Sequence, residues 1–173
     1  MPYMATGSIV SSIQGEPRAS HDIDFVVDIS PEAARHLLEA FPPPQFYLDP
    51  VAVRDAVKRR DMFNLVEPST GEKVDFWPVK DEPYDVERFS RRYVEDVQDI
   101  LGVELFVSRP EDTILQKLRW AEMSGGSERQ FGDALRVFEL QRETLDVEYM
   151  SRWVTRLGLQ ALWQRLQHEA RPL

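Results

Sequence analysis

The stretch Gly7-Ser8-Ile9-Val10-Ser11-Ser12-Ile13-Gln14-Gly15-Glu16-Pro17-Arg18-Ala19-Ser20-His21-Asp22-Ile23-Asp24-Phe25 decides how this chain folds. Just before it, Tyr3 to Thr6 reads as a short strand running into the Gly7-Ser8 turn, and Ile9 to Ile13 reads as a short helix ending near Gly15. His21 to Ile29 alternates and then turns apolar at Phe25, Val26 and Val27, the pattern of a largely buried strand. Alternate residues of a strand face the same way, so Asp22 and Asp24 point to one side, about 7 Å apart at a rise near 3.3 Å per residue. Ile23 and Phe25 are expected on the other side, in the core. Two neighbouring carboxylates beside a buried strand are costly unless neutralised. A hard cation is the natural remedy, and Mg²⁺ takes one or two carboxylates with water and substrate phosphates completing its shell. Gly7 lets the backbone turn tightly against a ligand, the amides of Ser8 and Ile9 at a helix start suit phosphate oxygens, and Arg18 adds a further phosphate contact.

Downstream, Ser30 caps a helix with Pro31 in its first turn, which Pro42, Pro43 and Pro44 stop. Asp49-Pro50 starts another helix, through Val53 and Val57. Met62 to Glu67 and Lys73 to Val79 are β-rich runs around Pro68-Ser69-Thr70-Gly71-Glu72, hence an antiparallel hairpin with Asp75 in its second arm. Asp85 to Arg92 reads as a helix and Val103 to Val107 as a strand. Ser108 and Glu111 have capping-box spacing ahead of a helix that ends near Gly125 and Gly126. Phe131 to Leu140, Val147 to Leu157 after an Asp146 cap, and Leu159 to Glu169 after Gly158 complete a helical remainder. The expected class is α/β (α+β): a mixed β-sheet core over residues 1–108 flanked by helices, and a helical C-terminal part over 109–173 packed on the same domain.

The residues Gly7, Ser8, Arg18, Ser20, Asp22, Ile23 and Asp24 together resemble the first motif of the nucleotidyltransferase superfamily that includes DNA polymerase beta. The closer likeness is to bacterial AbiEii-type nucleotidyltransferase toxins. Val74-Asp75-Phe76 has the form of the superfamily's third acid, and Lys117, Ala121, Arg129 and Asp133 resemble a later motif, with Gln130 where an acid often follows the Arg. The resemblance covers roughly residues 3 to 140. It implies transfer of a nucleotidyl group from an NTP to an acceptor hydroxyl, with two Mg²⁺ ions on Asp22, Asp24 and Asp75. It also implies a nucleotide held by Gly7, Ser8, Arg18, Ser20, Lys117, Arg129 and Asp133. Expected acceptors are tRNA, a protein or a small molecule, and a toxin of this type implies an antitoxin. The alternatives are a nucleotide-binding protein of the same fold without turnover, or an aminoglycoside-type small-molecule enzyme.

Composition agrees with a folded enzyme or binding module. Of 173 residues, 42% are hydrophobic and 29% charged, and the absence of cysteine removes disulfides and thiolate metal sites. No apolar run approaches the roughly 20 residues that span a bilayer, and the start lacks the pattern of a secretory signal, so the expectation is a cytoplasmic protein with no membrane partner. A net charge of −9 opposes general attraction to nucleic acid and suits a cationic acceptor. The basic runs at Lys58-Arg59-Arg60 and at Arg88, Arg91 and Arg92 are candidates for a local groove but read first as solvated helix faces. His21 reads as a polar neighbour of the acids; His36 and His168 have no partner at metal-ligand spacing. Members of the family it resembles usually carry a helix before the first strand, whereas here the strand begins almost at once, so an apolar patch of sheet is expected to be covered by a homodimer or another intermolecular contact.

Overall fold

The computed structural model describes residues 1–17, 19, 22–97 and 102–171; Arg18, Ser20 and His21 lie outside them. Among the described residues the order is β1 (Tyr3–Thr6), α1 (Gly7–Gln14), β2 (Asp22–Val27), α2 (Pro31–Ala40), α3 (Pro50–Arg59), β3 (Phe63–Glu67), β4 (Glu72–Pro78), α4 (Pro83–Ser90), β5 (Tyr93–Asp96), β6 (Glu104–Val107), α5 (Pro110–Met123), α6 (Glu128–Gln141), α7 (Val147–Leu157) and α8 (Gln160–Glu169). The chain forms two compact units, Met1–Ile9 with Ser20–Val107, and Val10–Ala19 with Ser108–Leu173. The boundary between the units falls within α1, between Ile9 and Val10.

The first unit is built on a six-stranded mixed sheet in the order β3-β4-β2-β1-β6-β5. β1 runs antiparallel to β2 and parallel to β6, β2 is parallel to β4, and β3–β4 is the expected antiparallel hairpin. Side chains alternate across the sheet as the pleat demands. Val27, Phe76, Phe63 and Leu65 pack with Ala34 of α2 and Val53 and Ala56 of α3 on one face, while Met4, Val26 and Trp77 pack with Phe89 of α4 on the other. Local chemistry sets the helix starts: Ser30 Oγ accepts from Ala33 N, and one Asp49 oxygen accepts from Val51 N and Ala52 N.

In the second unit α5 packs on α6, α7 and α8 around fully buried Ile114, Leu118, Met150 and Leu166. Gln14 Nε2 donates to Ser108 O at 2.6 Å, and Gln141 Nε2 donates to Gln14 O at 3.0 Å, so the end of α1 is tied into this unit through its backbone and side chain.

Four local expectations are corrected. The Ser108–Glu111 capping box does not form: Arg109 is the N-cap residue and offers no side-chain bond. Ser108 Oγ instead meets Thr113 Oγ1, and Glu111 Oε1 accepts from Asp146 N. Ile23 is not in the core but 37% exposed, because it sits near the open start of β2 where neither α2 nor α3 covers the sheet. Arg88 is not on a solvated face either; it is buried and paired with Asp85 at 2.8 Å. Finally, Tyr93–Asp96 forms an edge strand paired to β6, where no strand was expected.

Candidate active site

The parallel pairing of β2 with β4 is what builds the site. Its register puts Asp24 opposite Asp75 and Asp22 opposite Lys73, and β1 contributes Thr6 on the far side of Asp24. Since 22, 24 and 26 alternate with the buried apolar face, as do 73, 75 and 77, one sheet face carries Asp22, Asp24, Lys73, Asp75 and Trp77 side by side. Asp22 is exposed, Asp24 half-buried, and Asp75 only 7% exposed.

β1 delivers Gly7 to the same place. Its backbone has φ +70, in the left-handed region, and a Cβ built there would stand 2.0 Å from Asp24 Oδ2. The Asp24 carboxylate thus lies directly against the backbone at the start of α1, with Ser8 in the first turn of that helix. Trp77 Nε1 donates to Asp24 Oδ1 at 3.3 Å.

Lys73 is the cation of the cluster. Its Nζ lies 3.0 Å from Asp75 Oδ2 and 3.8 Å from Asp22 Oδ1. The hydrogen bond it donates to Asp75 raises its affinity for the proton above the ordinary lysine value; burial opposes this, and the charges of Asp75, Asp22 and Asp24 add to it. The other Asp75 oxygen, Oδ1, is buried without a hydrogen-bond partner, which leaves its lone pairs for a ligand. These oxygens fit a hard divalent ion in kind. Among the described residues no three His, Cys, Asp or Glu side chains are gathered as a ligand group, so an ion here would draw on a carboxylate pair and complete its shell from elsewhere.

In the second unit, Lys117 Nζ and Asp133 Oδ2 meet at 2.7 Å, joining α5 to α6 with both side chains at least nine-tenths buried. Arg129 is exposed on the first turn of α6. Of the residues expected to bind nucleotide, Gly7 and Ser8 accompany the acids, Lys117 and Asp133 form their own pair, and Arg18 and Ser20 lie outside the described residues. Lys73 and Trp77 escaped the sequence reading, although the alternation that places Asp75 on its face places them there too.

No family model matches the chain, and no curated protein does. Among solved structures it is similar to an antigenic nucleotidyltransferase-like protein from Paracoccidioides brasiliensis, with a TM-score of 0.51 and 16% identity over 98% of this chain and 85% of that one. An identity that low speaks to fold alone, and the chain accordingly has a nucleotidyltransferase-like fold.

Proposed function

We propose that the protein transfers a nucleotidyl group from an NTP to an acceptor hydroxyl in a Mg²⁺-dependent reaction. The observation that carries this reading is the placement of Asp24 beside Asp75 across β2 and β4, with the Gly7 backbone pressed against the Asp24 carboxylate, on a nucleotidyltransferase-like fold. Asp24 and Asp75 would hold Mg²⁺, with Asp22 at the exposed side, and the bound metal would stabilise charge on the attacking and leaving oxygens. The amides of Ser8 and Ile9 bind phosphate oxygens at the start of α1. The acceptor oxygen attacks the α-phosphorus, the bond from that phosphorus to the α,β-bridging oxygen breaks, and pyrophosphate leaves. Asp75 takes the acceptor's proton. Lys73, drawn off Asp75, meets the negative charge of the incoming phosphates.

A second reading, nucleotide binding without turnover, is favoured by Lys73, whose ammonium already neutralises Asp75. Both are separated by one assay. The protein is incubated with each α-labelled NTP and, in turn, tRNA, a protein extract and cationic aminoglycosides, the acceptors that an AbiEii-like toxin or a small-molecule enzyme would use. Label transfer with pyrophosphate release in wild type, lost in Asp24→Asn and Asp75→Asn, supports turnover. Saturable NTP binding without label in any acceptor supports the second reading. Equal transfer by all three proteins removes the acids from the chemistry. A toxin role for this reading requires that expression of wild type, and not of Asp24→Asn, arrests growth and that a neighbouring antitoxin gene relieves it.

A further inference from the structure

On the sheet face away from the acids, a cleft of about 780 Å³ opens between α2 and α3, a volume in the range of small-molecule sites. Its walls are apolar: Val27 from the end of β2, Ala34 and Leu38 from α2, Val53 and Val57 from α3, and Pro78 from the end of β4. Its rim is not. Arg35, Arg54, Lys58 and Arg60 stand around it against one acid, Asp28, in a chain whose net charge is −9. Arg35 lies 3.9 Å from Glu39, and Arg60 bonds Val79 O and Asp81. Arg54 and Lys58 have neither ion pair nor side-chain hydrogen bond among the described residues. They are four apart on α3, where like charges repel one another. An anion seated between them would relieve that repulsion while its body covered Leu38 and Val57, the half-buried apolar side chains of the cleft, above the buried Val27 and Val53.

We propose that this cleft is a binding site for a small amphipathic anion, a carboxylate with an aliphatic body, held by Arg54 and Lys58 at the head and by the α2–α3 walls along the tail. The site is separate from the carboxylate cluster. Asp24 and Asp75 share a face with Val26 and Trp77, whereas Val27 and Ala34 belong to the opposite one. A ligand in the cleft therefore acts, if on the acids at all, through β2 and β4 and not by touching them.

The test uses the full chain with 8-anilino-1-naphthalenesulfonate as fluorescent probe and dodecanoate and dodecanol as competitors. Saturable binding of one probe per chain is expected, with displacement by dodecanoate and at least about tenfold weaker displacement by dodecanol, since the head charge supplies the difference. Arg54→Glu with Lys58→Glu, both exposed positions, should weaken dodecanoate by about tenfold or more while leaving the melting curve in place. Asp24→Asn should bind dodecanoate as wild type does. Equal dodecanoate affinity in the charge-reversed protein, competition by the alcohol equal to that by the acid, or no saturable binding of dodecanoate overturns the proposal.

Discussion

Gly7 is fixed by two independent constraints, a left-handed φ and a carboxylate oxygen where a side chain would begin. Gly7→Ala should therefore cost about 1–2 kcal/mol in strain and push Asp24 off the backbone. The indole N–H resonance of Trp77, whose donor bonds Asp24, would report the displacement, and an unmoved resonance would show that the carboxylate keeps its place. Lys73 gives a pH-dependent counterpart. Because its proton affinity is raised in the fold, its contribution to stability is fully present below its ordinary value of 10.5 and is lost as pH rises through the raised one. Lys73→Met should thus melt lower than wild type at neutral pH, and the gap between the two should close in strongly alkaline buffer. A gap that stayed constant from pH 8 to the alkaline limit would mean that the ammonium charge contributes nothing.

Elements whose ends carry their own chemistry were the legible ones. Ser30-Pro31 and Asp49-Pro50 announce α2 and α3, and both caps form. Asp49→Ala should lower stability by about 1 kcal/mol, read as a shift in the urea midpoint at unchanged slope; no shift would leave Pro50 alone to start α3. The Asp22-Ile23-Asp24 strand and the hairpin bearing Asp75 were legible too, because period-2 alternation survives without knowledge of partners. What sequence could not supply was pairing. Lys73 is a surface-looking residue until the register with Asp22 is known, and Ser108–Glu111 has the spacing of a cap until Asp146 N claims the Glu111 carboxylate. Tyr93–Asp96 is four residues long with alternate positions half-buried, too brief a pattern to separate from a loop.

At the scale of the whole molecule, the buried Lys117–Asp133 pair ties α5 to α6, and its first consequence is for stability. Lys117→Met alone should destabilise by about 3–5 kcal/mol by taking the lysine charge away from the buried Asp133 carboxylate, whereas Lys117→Met with Asp133→Leu should recover part of that loss. Thermal melts of the single and double variants check this; a harmless single change would free Lys117 for a role in binding. Charge is distributed on the same large scale. The sheet of the first unit presents Asp22, Asp24 and Asp75 on one side, and the cleft beyond its other side is ringed by Arg35, Arg54, Lys58 and Arg60. A unit polarised in this way does not meet a charged matrix as an evenly spread charge. Screening over about 10 Å at 0.1 M salt lets each side act on its own, so at that ionic strength the protein should bind sulfonate beads as well as quaternary-amine beads, and lose its hold on the sulfonate as the buffer is diluted and its net charge of −9 is felt as a whole. On the sulfonate beads the carboxylate side would be left facing the flow, which makes immobilisation itself a way to hold this protein with its acids open to solution.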